Sequence, residues 1–530
     1  MTGFAGTGIL LRQALRRSRW LILIITLGTW LLSWASGVAT VDLYPTEAER
    51  VLANAVGNAT TGVVAFYGHV DLPDSLGGLG TAKLQMIDFI VIAILVIALV
   101  RRTTRADEEA GRTELLAGTP VGRRAPLAAA VSLALLVSVV LGLGSGLFVG
   151  LSGLPWTGAW ALGLAVTAVG WAFTGLTAVA VQVSASNRIC GVIAFSVLGL
   201  AFLLRMVGDL RQGRPGEFLR WLSPLGWAQQ VRPYNGERWW PLLLTLGLLV
   251  VSLLVADRLL ATRDIGSGLL HERPGPAHSR IGSAYALAGR LQRGGVIGWA
   301  LVFSAMGLVV GSLSGTIGSF LTPETIDLLR RLGGAGDVAA LLTSVYALIT
   351  GYLAAAFAIG AVLRLRTEEA DGHSEQVLAA GVGRTALLLS HLLIAVVGVP
   401  VMLTLAAVGD YLGRLSGGED HSLVASLTAF WVQIPAAWVL AALTVAAYAL
   451  VPRLASAIGW GALTLAIILV EFVGLLKLPD WIAGLSPFRH VPKLPAESMR
   501  WAPELGLIVI GVAFLALAFS VFRRRDLPAT

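Results

Sequence analysis

The residues of this chain best suited to chemistry are the charges of two loops, and their spacing is kept. Arg105-Ala106-Asp107-Glu108-Glu109-Ala110-Gly111-Arg112-Thr113-Glu114 runs on to Val121-Gly122-Arg123. It returns in the second half as Arg366-Thr367-Glu368-Glu369-Ala370-Asp371-Gly372-His373-Ser374-Glu375, ending Val382-Gly383-Arg384. The ungapped offset is 261, and seven of 19 positions are identical. Leu222-Ser223-Pro224 and Leu485-Ser486-Pro487 repeat within two residues of that offset, as do Arg263-Asp264 and Arg525-Asp526. The chain reads as a tandem duplication whose best-kept segment is a loop. In the first copy Arg105 precedes Glu109, and Glu108 precedes Arg112, by the four residues that bring opposite charges together on a helix. The second copy keeps Glu369 four residues before His373. The spacing predicts a short charged helix in each half, with Gly111 or Gly372 leaving one face bare and Pro120 closing the first helix. Such a helix can make charge-assisted hydrogen bonds to a partner. A solvated connector does not account for Glu, Gly, Glu and Val-Gly-Arg held at fixed spacing.

The elements that position these loops are apolar. Of 530 residues, 56% are hydrophobic and 13% charged, and mean hydropathy is +0.78; only lipid can solvate so much apolar surface. Runs long enough to span a bilayer fall near 20–40, 84–101, 125–151, 157–183, 187–207 and 239–257. The second half gives 296–320, 340–363, 385–411, 423–451, 456–477 and 501–522. The expected fold is an all-α polytopic membrane protein with a six-helix half over 1–262, a linker over 263–283 and a second six-helix half over 284–530. A pseudo-twofold axis relates the halves. Arginines gather before residue 20, in the 101–124, 258–295 and 364–384 segments and at 523–525. Placing them on one side puts both repeated loops and both termini in the cytoplasm of a bacterial inner-membrane protein. The net charge of +8 then marks helix ends, with no nucleic-acid partner. Residues 9–20 and 284–293 read as amphipathic interfacial helices ahead of each half, and the loop helices as lying parallel to the membrane. The first apolar run is too long for a signal peptide and reads as a retained span. The 208–238 loop, rich in Gly, Pro and Trp, reads as a segment dipping into the outer interface. Cys190 is the single cysteine, so no disulfide framework exists. No loop is long enough to hold a soluble catalytic domain.

An interfacial entry helix, six spans and an acidic Glu-x-x-Gly-x-x-Glu loop after the second span resemble the permease half of ABC-2 type exporters. The doubled chain resembles the fused permeases of actinobacterial antibiotic and multidrug exporters, the tetronasin-exporter-like group. Arg263-Asp264-Ile265-Gly266, Leu269-Leu270 and Arg273-Pro274-Gly275-Pro276 resemble that group's connector. The resemblance covers the whole chain and implies a type V exporter-like fold and a transport subunit, not an enzyme. Two copies of a separate cytoplasmic ABC ATPase would bind ATP and magnesium; this chain would hold no cofactor. Closure of the ATPase dimer would move the loop helices and swing the spans, exporting hydrophobic or amphipathic compounds such as antibiotics or drugs. Carried onto this sequence, the coupling residues are Glu108, Glu109, Gly111, Glu114 and Arg123 in loop 102–124. In loop 364–384 they are Glu368, Glu369, Gly372, Glu375 and Arg384. Membrane lipids and a small hydrophobic substrate complete the expected partners.

The chain has no Gly-x-x-x-x-Gly-Lys-Ser/Thr phosphate loop, so ATP must be held elsewhere. Leu415-Ser416-Gly417-Gly418-Glu419 imitates an ATPase signature but stands in a short outward loop. Asn58-Ala59-Thr60 fits a glycosylation acceptor and reads as idle, and His69, His391 and His490 lack metal-ligand spacing. Ionisable groups within spans are costly and therefore informative: Asp88, Arg205 and Glu471 each lie near an outer end. Arg205 and Glu471 stand on pseudo-equivalent spans and either pair across the axis to close an outer gate or snorkel separately. Trp30, Trp34, Phe89, Phe303 and Tyr346 are candidates for an apolar cavity or for lipid contact. A proton-coupled twelve-helix secondary drug transporter shares the duplication and helix count, but needs an acid in mid-span to carry the proton. A polytopic membrane enzyme would gather acids in the first outward loop, as Asp42, Glu47 and Glu49 do, yet the second half offers only Glu324 and Asp327.

Overall fold

The computed structural model describes residues 3–43, 45–59, 61–72, 74–264, 267–269, 282–317, 338–370, 372–416, 421–471 and 479–525. They form an all-α polytopic membrane protein in two compact units, Met1–Gly275 and Pro276–Thr530. Among the described residues, eleven helices are long and apolar enough to cross a membrane. The span expected at 456–477 is described as Ala455–Glu471. Residues 472–478, most of the expected linker, Thr60 and positions 417–419 lie outside the described residues.

The first unit runs α1 (Thr7–Leu43), α2 (Glu47–Ala59), α3 (Thr61–Tyr67), α4 (Gly78–Thr103), α5 (Arg105–Glu109), α6 (Arg112–Ala117), α7 (Ala125–Leu151), α8 (Trp156–Val183), α9 (Asn187–Leu210), α10 (Pro224–Gln229) and α11 (Pro241–Thr262). α1 is one helix of 37 residues, about 55 Å at 1.5 Å per residue. The separate interfacial helix expected at 9–20 is therefore not an element of its own. Between Ile9 and Leu27 there is neither Gly nor Pro, and Leu and Arg are strong helix formers, so nothing stops the helix where the arginines end. The start of α2 is fixed by a capping box: Thr46 N donates to Glu49 Oε2 at 3.0 Å and Glu49 N to Thr46 Oγ1 at 3.3 Å. These bonds hold the Glu49 carboxyl below its ordinary range. Asn58, read as an idle acceptor, clamps Val70 through both ends of its amide, at 2.7 and 3.0 Å.

The second unit runs α12 (Ala284–Ile317), α13 (Val338–Ala370), α14 (His373–Ala379), α15 (Arg384–Ser416), α16 (Leu423–Trp431), α17 (Ile434–Leu450), α18 (Ala455–Glu471), α19 (Asp480–Ala483) and α20 (Trp501–Arg524). Residues 284–293 are likewise continuous with the apolar part of α12.

Glycines set the closest helix approaches. A Cβ on Gly142 or Gly146 of α7 would stand 2.5 or 2.7 Å from the carbonyls of Gly163 and Ala159 on α8. In the second unit a Cβ on Gly307 or Gly311 of α12 would meet the Ala406 or Asp410 carbonyl of α15 at 2.1 Å. Both are small-x-x-x-small contacts, in which backbones approach because no side chain intervenes. The Gly-x-x-x-Gly spacing of 142/146, 307/311 and 409/413 was legible in the sequence and carried this signal. The repeated Leu-Ser-Pro has one role in both units. Ser223 Oγ donates to Ala201 O at 2.7 Å and Ser486 Oγ to Ala466 O at 2.9 Å, each pinning a short one-turn segment to the preceding long helix.

Candidate coupling loops and buried charges

The first loop begins where α4 stops at Thr104, and it breaks again at Gly111, whose φ of +68° suits glycine. Two short helices result, which separates Glu108 from Arg112; Arg105 and Glu109 share α5 but take other partners. Arg105 pairs with Glu108, three residues on, at 2.5 Å, and Arg112 with Asp107 at 2.6 Å. Asp107 also takes Arg17 of α1 at 2.6 Å. The second loop differs: α13 continues through Ala370, Gly372 turns at φ +75°, and His373 faces Glu368 at 3.1 Å in place of Glu369. Glu368 is held further by Arg364 at 2.5 Å.

Beneath each loop the separate repeats meet. Arg263, just past α11, donates to Glu108 through both terminal nitrogens, at 2.8 and 3.2 Å. Its Nε reaches Gln182 Oε1 at 2.6 Å, and Arg123 donates to the Arg263 carbonyl. In the second unit Arg525, just past α20, donates to Glu369, and Arg384 donates to the Arg525 carbonyl at 2.6 Å. Glu108 and Glu369 are aligned positions, as are Arg123 and Arg384. Each unit thus has a latch in which the loop's glutamate takes the arginine after the last long helix and the loop's arginine takes that arginine's backbone. The surroundings differ. The first latch is reinforced by Arg105, 1% exposed, which also donates to Val181 O and to Ser267 O. The second is reinforced by Tyr448, whose hydroxyl donates to Glu369 and whose ring lies 5.3 Å beneath the Arg525 guanidinium.

The expected coupling residues therefore divide into two groups. Glu108, Arg123, Glu368, Glu369 and Arg384 have partners inside their own unit. Glu109 is exposed but accepts from Asn187 N at 2.5 Å at the start of α9, where a carboxylate suits the helix dipole. Glu114 and Glu375 are exposed in the first turns of α6 and α14. At Gly111 and Gly372 a Cβ would meet nothing within 4 Å, so these glycines serve the backbone turn and leave open surface beside the two acids.

Each membrane-embedded candidate has its own surroundings within its unit. Trp30 donates to Leu141 O at 3.2 Å and stacks on Phe148, while Trp34 is exposed. Phe89 and Phe303 are wholly buried in separate units, and Tyr346 is half-buried. Asp88 is wholly buried beside the Ser145 hydroxyl and has no ion-pair partner among the described residues. Arg205 is held inside the first unit by Asp209 at 3.4 Å, by the Ala65 carbonyl and by the Phe202 ring at 4.9 Å. The side chain of Glu471, its expected partner, lies outside the described residues. Sequence reading passed over Asp209 and the Asp410–Arg414 pair, which is buried with Ser426 and Thr343. Both are four-residue acid–base spacings within apolar runs and were readable as such.

These features define a polytopic membrane protein whose charged loops are tied to the ends of its long helices. The family described as multidrug efflux system permease Rv1217c, C-terminal domain, matches residues 14–257 and 281–523. The multidrug efflux system permease protein Rv1217c of Mycobacterium tuberculosis is 39% identical over 537 residues, covering 99% of this chain and 96% of that protein. The chain belongs to this permease family.

Proposed function

We propose that the chain is the membrane-spanning permease subunit of an ATP-driven exporter of hydrophobic or amphipathic compounds, working with two copies of a separate cytoplasmic ATPase in a bacterial inner membrane. Family membership supports export. The observation that carries the coupling is the repeated placement of Glu114 and Glu375. Each is an exposed acid just after a left-handed glycine, on a loop latched to its unit's last long helix. An exposed carboxylate beside open backbone can take charge-assisted bonds from a basic cleft, and the latch gives any push on the loop a stiff path to a span. The test is co-purification with the ATPase in detergent. Glu114→Arg together with Glu375→Arg is expected to abolish the complex while leaving the permease folded; a complex unaffected by both reversals overturns the assignment.

A second reading, proton-coupled transport, draws on Asp88, a buried carboxyl group with no ion-pair partner among the described residues. Proteoliposomes distinguish the two: uptake that needs ATP and the partner supports the first, and uptake driven by a pH gradient alone supports the second.

A further inference from the structure

A cavity in the first unit lies at the end of α4 away from the charged loop. Gln85, Asp209, Gln212, Arg220 and Gln229 line it, with the Asp71–Arg232 pair at 2.6 Å. Gln85 is 5% exposed, Asp209 3% and Arg220 7%. Even so, Gln85 Nε2, Arg220 Nε, Gln212 Oε1 and Gln229 Oε1 have no hydrogen-bond partner among the described residues. Buried polar atoms are nearly always paired, because an unpaired one carries the full desolvation cost of that group. Unpaired donors and unpaired acceptors around one space therefore restrict what fills it. The lining carboxylates, Asp71 and Asp209, are matched by the lining guanidiniums, Arg220 and Arg232, and the lining imidazole of His69 stands 3.9 Å from Asp71. Behind them Arg205 and Glu217 add one charge of each sign. No excess charge favours an ion, whereas a hydroxyl both donates and accepts.

The backbone keeps the space narrow. Gly68 has φ +89°, and a Cβ there would stand 1.7 Å from Gln229 Nε2. Arg232 holds a left-handed φ of 54° while reaching Asp71. A volume of about 30 Å³ accommodates about two water-sized groups, too few for a whole drug and enough for the hydroxylated end of one. The same segment exposes Phe218 and Leu222, apolar surface on which a tail can lie.

We propose that this cavity binds the hydroxyl groups of a neutral amphipathic solute; that the solute is cargo rests on the export reading above. The protein in nanodiscs is titrated with n-octyl-β-D-glucoside, n-octylamine and octanoate, which share a tail and differ in the head, and tryptophan fluorescence is read. The glucoside is expected to bind saturably and at least tenfold more tightly than either charged compound. Gln85→Leu and Gln229→Leu are each expected to weaken it about tenfold and to leave the other two unchanged. Gln212→Leu, at a partly exposed position, reports the same loss should a buried variant fail to fold. Equal binding of the three heads, or glucoside binding that survives all three substitutions, overturns the proposal. Neither ATPase nor transport enters this assay, so its failure is distinct from failure of the export reading.

Discussion

Replacing Glu108 with alanine tests whether the repeated glutamate holds the loop to its span or faces a partner. Its carboxylate is 13% exposed and lies between two guanidiniums, Arg105 and Arg263, the latter 5% exposed. Removing it leaves two buried cations facing one another. Breaking a buried pair in this way costs about 3–5 kcal/mol. Arg105 keeps Val181 O and Ser267 O, and Arg263 keeps Gln182 and Ser267 O, which places the effect at the lower end, about 3 kcal/mol. Glu369→Ala leaves one guanidinium, still bound to Tyr448 O at 3.1 Å and over its ring, and the buried Tyr448 hydroxyl without its acceptor, so about 2 kcal/mol is expected. Fluorescence-monitored thermal unfolding in a single detergent should rank Glu108→Ala below Glu369→Ala and both below wild type. The Glu108/Arg263 double-mutant cycle should show a coupling of about 1–3 kcal/mol. Were Glu108 instead a contact to the ATPase, Glu108→Ala would leave the melting temperature unchanged and abolish the complex. That result, or a coupling of zero with Arg263, refutes the latch.

Other outcomes follow from single contacts. Ser223→Ala removes the buried hydrogen bond to the Ala201 carbonyl and the N-cap bond from Gly226 N, whereas Ser486→Ala removes only the bond to the Ala466 carbonyl; losses of about 2 and about 1 kcal/mol are expected in the same unfolding assay. Gly311→Leu places side-chain atoms where even a Cβ would stand 2.1 Å from the Asp410 carbonyl; the yield of folded protein after size-exclusion chromatography should collapse, whereas Gly360→Leu, with nothing within 4 Å, should not. Asp88→Asn replaces a buried carboxyl group with no ion pair among the described residues by a neutral amide of the same shape, and should raise the melting temperature at neutral pH, because the carboxyl must bury a charge or take up a proton to fold; a lowered one would refute this.

The spans were legible because a run of about 20 apolar residues needs no tertiary information. Where the chain enters lipid was less so: α4 begins at Gly78 and ends at Thr103, against an apolar run of 84–101, since Lys83 and Arg102 are carried on the helix beyond its apolar part. The segments expected to be interfacial are continuous with the spans for a related reason. A Leu/Arg pattern favours helix whether the segment lies flat or extends a span, and no Gly or Pro between Ile9 and Leu27 marked a division. The pairs Glu108–Arg112 and Glu369–His373 failed because the four-residue rule presumes an unbroken helix, and Gly111 and Gly372 break it; Arg105 and Glu109 share α5, but Arg105 is taken by Glu108 and Glu109 by Asn187 N. The latch was half legible. Glu108 and Arg263 are 155 residues apart, beyond any local rule, yet both belonged to segments that repeat at nearly one offset. Segments that drift less than their surroundings, together and in both halves, are candidates for mutual contact, and these two pairs are in contact.

That contact changes what the repetition argues for. Repetition of Glu108 and Glu369 is accounted for by the arginine each holds, and repetition of Arg123 and Arg384 by the carbonyl each reaches; neither needs a partner protein. Glu114 and Glu375 have no such account within their units, because both are exposed and neither takes part in a salt bridge among the described residues. An internal role therefore explains most of the motif, and the remainder, two acids placed one helical turn past a left-handed glycine, is where an external role must be sought. The two tests separate these roles by readout. Latch substitutions should lower the melting temperature whether or not an ATPase is present, whereas Glu114→Arg and Glu375→Arg, at exposed positions, should shift stability by no more than about 0.5 kcal/mol and act on the complex alone. A variant that moved both readouts together would merge the two groups and return the whole loop to a single structural role.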